Sequence, residues 1–262
     1  MASHFVRCTG DALCSTVQRL PQDVLNRARA LPEKRRKRFL IARQLLAQLM
    51  QRIYGIHELP ALTTGPNGRP RFIDTQLPDF SIAYAGNTIG VLLADEGGCA
   101  GLDMEIVRAH SRQTQDALTH GLSSGEKAWI NAQQDFMEAV TQLWTLRQSI
   151  LKLSDDAQHS TLQLHPAAGR LRSSVLPDVQ AVCDAEPTLV WSCALSPSAE
   201  RLNLWEIDAQ QQWQPLHEVE MSKPKLGPRS LRLTSLVSVP SAAPYCAAYP
   251  TPPLMCVDKR DF

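Results

Sequence analysis

The sequence predicts a fold that mixes α-helices with β-strands, on three observations. Two long segments, residues 31 to 55 and 136 to 155, repeat apolar positions at helical spacing. Between them, short apolar runs are punctuated by Gly-Pro-Asn-Gly and Gly-Asn turns, the pattern of strands joined by tight loops. Residues 161 to 208 hold further short strand-like runs, among them LVWSCAL and LNLWEI.

With 262 residues, 44% of them hydrophobic, the chain has material for one large domain or two small ones with a proper core. Lys and Arg number 27 against 26 Asp and Glu. A net charge of +1 and 6% aromatic residues give no overall pull toward nucleic acid or membrane, so neither is expected as a partner and any anion must be met by a local patch. The seven cysteines show no Cys-x-x-Cys pair and no zinc-finger His spacing, and read as reduced thiols. MASHFVRCTGDALC lacks the apolar core of a signal peptide, and no run approaches the roughly 18 apolar residues of a membrane span, so the cytoplasm is the expected location.

Taking the elements in order, LPEKRRKRFLIARQLLAQLMQRIYG (31 to 55) opens on Pro32 and Glu33, good first-turn residues. Phe39, Leu40, Leu45, Leu46 and Leu49 then set a helical stripe, which Gly55 ends. Its first turns carry Lys34, Arg35, Arg36, Lys37 and Arg38, with Arg43 further on, a run that suits a solvated face or an anion site. Gly65-Pro66-Asn67-Gly68 forces a turn, followed by Arg69 and Arg71. Phe80 to Tyr84 and Ile89 to Ala94 are two strands joined at Gly86-Asn87.

CAGLDMEIVRAH (99 to 110) sets Asp103 and Glu105 two positions apart among Leu102, Met104, Ile106 and Val107. On a strand the acids share one face and the apolar residues the other. A half-buried strand with a wet side shows this alternation, and so does a strand that holds one hard cation. Ser123 stands three residues before Glu126, a capping-box spacing that starts a short helix. In the helix of 136 to 155, Trp144, Gln148 and Lys152 fall on one stripe, with Val140, Leu143, Ile150 and Leu151 to one side. An amphipathic helix with Trp144 in the core and a snorkelling Lys152 accounts for that stripe as well. Beyond Trp213 come eight of the 18 prolines and no sustained period, the mark of an irregular tail, although LRLTSLVSV (231 to 239) suits an edge strand.

In this order, the basic helix, Gly68-Arg69-Pro70, the Phe80 strand, Gly101-x-Asp103-x-Glu105, Ser123-x-x-Glu126 and Trp144-Thr145 with Lys152 resemble the 4'-phosphopantetheinyl transferases of the surfactin-synthetase-activating type, which include holo-acyl-carrier-protein synthases. The likeness rests on motifs over residues 30 to 155 and elsewhere on length and strand pattern alone. It implies an α/β (α+β) monomer of two lobes related by a pseudo-twofold axis, each a small antiparallel sheet on a long helix. The lobes would be residues 1 to 98 and 99 to 212, with a Pro-rich tail over 213 to 262. Coenzyme A would lie between the lobes, and its 4'-phosphopantetheine arm would pass to a serine of an acyl or peptidyl carrier protein, releasing adenosine 3',5'-bisphosphate. Fatty-acid, polyketide and peptide pathways all use such carriers.

The resemblance also implies roles for particular residues. Asp103 and Glu105, with Gln148 in the place of a third ligand, would hold Mg²⁺ against the diphosphate. Arg69 stands where the family has lysine and would pair with a coenzyme A phosphate. One or two of Lys34, Arg35, Arg38 and Arg43 would meet the 3'-phosphate, and Lys152 the diphosphate.

The chain departs from the family pattern at two motifs. Ser81, Ala83 and Tyr84 replace the Asn, Ser and His of Phe-Asn-Ile-Ser-His. Arg147, Gln148 and Ser149 replace the Lys, Glu and Ala of Trp-x-x-Lys-Glu-Ala. Tyr84 still offers a hydrogen bond, but Ala83 offers nothing polar. The family glutamate is also the proposed base for the carrier serine; Gln148 takes no proton, and loss of a general base typically costs about 10²- to 10⁴-fold in rate. Either water or a nearby acid such as Glu126 takes that part, or the chain binds coenzyme A or a carrier protein without turnover.

Overall fold

The computed structural model describes residues 2–10, 20–109, 111–155, 161–174, 176, 178–221 and 229–235. They form two sheets, each backed by one long helix. The first has the order β12-β11-β1-β5-β4, built from Trp213–Glu220, Arg201–Ile207, Ala2–Thr9, Thr88–Leu93 and Phe80–Ala85. β1 pairs in parallel with β11 and antiparallel with β5. The second runs β6-β10-β9-β13-β8-β7, built from Cys99–Ile106, Leu189–Ser196, Gln180–Ala185, Leu231–Ser235, Arg170–Ser173 and Leu162–His165. A small hairpin, β2 (Leu62–Thr64) with β3 (Pro70–Phe72), is closed by the Gly65 to Gly68 turn.

Among the described residues the α-helices are α1 (Gln22–Arg29), α2 (Glu33–Tyr54), α3 (Arg112–Thr119), α4 (Ser124–Asn131) and α5 (Phe136–Leu151). α2 spans the expected residues and stops where Gly55 takes a left-handed φ of 70°, a conformation that glycine adopts without a Cβ penalty. The expected capping box at Ser123 and Glu126 opens α4.

Alternation along the strands produces the layering. On β1, Val6 and Cys8 join Ile41, Leu45 and Leu49 of α2 in one core, whereas Phe5 enters a second core with Leu92, Leu102, Met104 and Trp191. This second core lies between the sheets, where the Phe5 and Trp191 rings are 5.4 Å apart. On the far side of the second sheet, Val190 and Ala194 of β10 meet Val140, Leu143, Leu146 and Ile150 of α5. The order of layers is helix, sheet, sheet, helix. β10 therefore has both faces covered, and all of Leu189 to Leu195 is buried. Arg7 ties the sheets further, with Glu206 of β11 at 2.9 Å and Glu186, from the turn after β9, as its partners.

Three expectations are corrected. The tail from residue 213 is not irregular throughout, because β12 pairs along β11 and β13 lies inside the second sheet between β9 and β8, not at its edge. Residues 222–228 and 236–262 lie outside the described residues, as does the remainder of the 231 to 239 strand. Trp144 is not in the core: 44% of it is exposed, because Val140, Leu143, Leu146 and Ile150 supply the buried stripe of α5 and Trp144 stands off that stripe. Cys8, Cys99, Cys183 and Cys193 are free thiols, and Cys14, Cys246 and Cys256 lie outside the described residues. No helix among the described residues is long and apolar enough to cross a membrane.

Candidate functional site

The site is assembled where α5 descends on β6. Leu102 and Met104 of β6 point into the inter-sheet core, so Gly101, Asp103 and Glu105 point toward the α5 side. A Cβ on Gly101 would run into the main-chain carbonyl of Ser149, so the absent side chain lets the helix backbone touch the strand. Ser149 is fixed there by hydrogen bonds of 2.9 Å to Leu146 O and to the Ser192 hydroxyl of β10. This small-residue contact brings Lys152, the C-cap of α5, over the acidic strand. Its Nζ donates to Asp103 Oδ1 at 2.7 Å and to Leu102 O at 2.8 Å.

Asp103 Oδ2 is buried and has no partner among the described residues. Burial pushes the Asp103 carboxyl above the ordinary range, offset in part by the Lys152 ammonium. Glu105, exposed and two residues along the same face, is raised first by burial and then by the neighbouring Asp103 charge. An orphaned carboxylate oxygen beside a second acid fits a hard divalent cation, and Mg²⁺ takes one or two carboxylates and fills its other positions from water and substrate phosphate. Among the described residues no group of three or more His, Cys, Asp and Glu side chains gathers for a metal, so the arrangement is an acid pair and not a closed protein cage.

Beside this pair opens a cleft of about 350 Å³, lined by Arg69, Ser81, Gln148, Leu151, Lys152 and Asp155 among others. The β2–β3 hairpin is tied over its end, since Asn67 donates to Asp155 O at 2.7 Å and Arg71 pairs with the Asp155 carboxylate at 2.6 Å. The β4 side of β6 is closed by side chains. Asp79 Oδ2 accepts from Ala100 N at 2.9 Å and the Ser81 hydroxyl from Leu102 N at 3.0 Å, while Arg69 Nη2 donates to Ala100 O and Phe80 O, each at 2.7 Å, and to Asp79 Oδ2 at 2.5 Å.

The expected site residues divide into two groups. Lys152, Gln148 and Arg69 line the cleft, and Asp103 meets it through its bond to Lys152, with Glu105 two positions along the strand; neither acid is itself in the cleft wall. Arg38 and Arg43 gather elsewhere on Tyr84: the Arg38 guanidinium lies 4.9 Å over the ring, and Arg43 donates to the hydroxyl at 3.3 Å while stacking 3.8 Å from the Phe39 ring. Burial pushes the Tyr84 phenol up, with Arg43 opposing. Lys34 and Arg35 project from the exposed first turns of α2. Ala83 is 3% exposed in the inter-sheet core. Glu126 is 2% exposed and both its oxygens are engaged, Oε2 by Ser123 N at 2.9 Å and Oε1 by Arg147 at 2.6 Å. It is absent from the cleft wall. Asp79 and Asp155 were not legible as site residues, because each reads in sequence as an acid beside a turn or a helix end.

No family model matches this sequence. Over 253 residues, 93% of this chain and 100% of the relative, it is 45% identical to the Escherichia coli K12 protein named "Uncharacterized protein YieE". It is 30% identical over 142 residues, 53% of this chain and 68% of the relative, to 4'-phosphopantetheinyl transferase AcpT of Escherichia coli K12. A protein of Haemophilus influenzae named putative 4'-phosphopantetheinyl transferase is 32% identical over 89 residues, 33% of this chain and 37% of the relative. The chain has a mixed α/β fold, with a lysine on an orphaned acid beside a cleft that Arg69 helps to line. On the AcpT match, it belongs to the 4'-phosphopantetheinyl transferase superfamily.

Proposed function

We propose that this chain, as a member of the surfactin-synthetase-activating type, transfers the 4'-phosphopantetheine arm of coenzyme A to a serine of an acyl or peptidyl carrier protein, with Mg²⁺, releasing adenosine 3',5'-bisphosphate. The observation that carries the reading is the buried, unpartnered Oδ2 of Asp103 beside Lys152 at the cleft. In the reaction the serine oxygen bonds to the β-phosphorus of the diphosphate, the bond from that phosphorus to the bridging oxygen breaks, and the serine proton leaves to solvent. The two helix-backed sheets are read as the two lobes, the first completed by β11 and β12 from beyond residue 98, and coenzyme A would lie at the cleft where the β2–β3 hairpin meets α5, since the apolar core fills the space between the sheets.

Asp103 and Glu105 would hold Mg²⁺, with the Gln148 carbonyl as a neutral third ligand. When bound, the ion supplies positive charge to the diphosphate oxygens and fixes their geometry. Lys152, paired with Asp103, would exchange that contact for a diphosphate oxygen. Arg38 and Arg43 around Tyr84, with Lys34 and Arg35 above them, form the cationic group for the 3'-phosphate. The Tyr84 hydroxyl accepts from Arg43 and keeps its own hydrogen to donate.

A second reading, binding without turnover, is favoured by one feature. Gln148 takes no proton, and Glu126, the acid named above as a replacement, is held by Ser123 N and Arg147. Intact-mass spectrometry of several candidate apo carrier proteins, incubated with the chain, coenzyme A and Mg²⁺, separates the two. An added phosphopantetheine mass that depends on Mg²⁺ supports transfer. A carrier that is bound but never gains mass supports the second reading, and neither binding nor mass gain sinks both.

A further inference from the structure

β6 is held differently along its two edges. Toward β10 it pairs residue for residue from Cys99 to Ile106. Toward β4, Ala100 and Leu102 give their N–H and C=O groups to side chains instead, and Asp79 and Arg69 take both groups of Ala100. Asp79 Oδ2 receives two donors, Ala100 N and Arg69 Nη2, and the same Nη2 bridges Phe80 O of β4 to Ala100 O of β6. Arg69 is thereby engaged through Nη2: its side chain is 12% exposed and its charge faces Asp79, while its Nε is buried without a partner among the described residues.

We infer that Arg69 and Asp79 are positioning residues, a staple that fixes the strand carrying Asp103 against β4, in place of the direct phosphate contact that the family likeness implies for Arg69. The physical case rests on geometry and charge. The two hydrogens of Nη2 are shared among three acceptors, Asp79 Oδ2 and Phe80 O in one segment and Ala100 O in the other, on a planar group whose fixed geometry a lysine ammonium on a flexible stem does not reproduce. With Asp79 at 2.5 Å the cation is already neutralised, so an incoming phosphate would have to break an ion pair that the fold uses. Asp103 lies three residues beyond Ala100 on the same strand, so slack at the staple reaches the acid pair directly.

The test is a double-mutant cycle on the full chain, with Arg69→Lys, Asp79→Asn and the pair, read by melting midpoint and by kcat and KM for coenzyme A; its kinetic arm rests on the transferase reading. Each single variant is expected to lower the midpoint by about 4 °C or more, and the double to fall no further than the worse single. At temperatures well below those midpoints kcat should drop about tenfold or more, with KM for coenzyme A within about twofold, since misplacement of reacting groups costs turnover more than binding. Asp79→Asn is the decisive arm, because it alters no group that a phosphate would touch and keeps an oxygen for Ala100 N. It also carries the comparison if Arg69→Lys does not fold. The inference is overturned if Arg69→Lys keeps its midpoint while KM for coenzyme A rises about tenfold, if Asp79→Asn lowers KM by freeing Arg69, or if the two midpoint losses add. Should the native chain modify no carrier, the transferase reading fails alone, and the midpoint cycle still decides the staple.

Discussion

α2 and α5 each cover one sheet, and they hold it by opposite means. α2 inserts Ile41, Leu45, Leu49 and Met50, each 3% exposed or less, against its sheet. Large side chains keep its backbone at a distance, and its cations sit outward, exposed at Lys34 and Arg35 or stacked on rings at Arg38 and Arg43. α5 instead touches β6 backbone to strand at Gly101 and Ser149, and its polar residues Gln148 and Lys152 flank that contact. A helix held by bulk tolerates changes on its outer face. A helix held by a close backbone approach passes any change at the contact to the residues beside it.

The largest effects should come from the two contacts themselves. Leu45→Ala removes a fully buried side chain and should cost about 2–5 kcal/mol in chemical denaturation, with the stabilisation conferred by added Mg²⁺ unchanged. Gly101→Ala places a methyl against the Ser149 carbonyl, for a cost of about 1–3 kcal/mol, and should also erase the Mg²⁺ response by moving Lys152 and Gln148 off Asp103. If Gly101→Ala keeps a native Mg²⁺ response, the contrast between the helices is wrong.

Next in size is the missing third acid. Gln148→Glu should raise the transfer rate by about tenfold or lower the Mg²⁺ needed, as restored base and ligand act together. A reverted protein that modifies no carrier better than the native one would remove Gln148 from the account.

A smaller effect concerns pH. The folded chain raises the Asp103 carboxyl above the ordinary value of about 4, chiefly by burial, so the folded state holds this proton more tightly than the unfolded chain. Its contribution to stability is therefore greatest below that ordinary value and is lost as pH rises through the raised folded value. At pH 7, without metal, Asp103→Asn should raise the melting midpoint and remove the fall in stability that otherwise accompanies the rise of pH through the Asp103 value. A fall in the midpoint at pH 7 would mean that the Lys152 pair outweighs the burial cost. Smallest of all, Lys34→Gln and Arg35→Gln should leave stability within about 0.5 kcal/mol while raising KM for coenzyme A. A stability loss there would assign these cations to the fold and not to a ligand.

Much of the fold was legible because its signals are local. The span of α2, its end at Gly55, the Gly65 to Gly68 hairpin, the β4–β5 turn and the Ser123 capping box each depend on residues a few positions apart. The return of β11 to pair in parallel with β1 joins residues about 200 positions apart, and nothing in either strand's composition announces its partner. β12 is hidden by the irregular, Pro-containing sequence around it, whereas β13 is legible as a strand and only its place inside the sheet is not. Whether Trp144 is core or border is open in the sequence, because a tryptophan on an apolar helix fits the buried stripe or its edge equally well, and the structure leaves it exposed.

For the site, the sequence by itself determined that Asp103 and Glu105 share a face, that Gln148 and Lys152 share a helix stripe, and that cations precede both. These follow from the repeats of strand and helix, which are properties of a few consecutive residues. Only the tertiary structure decided that Lys152 rests on Asp103, 49 positions away, that Arg69 is consumed by Asp79 and two strands, and that Glu126 is bound to Arg147. The reason is physical: a charged side chain's partner is set by which segments the core brings within about 3 Å of it, and that proximity is fixed by packing across the whole chain.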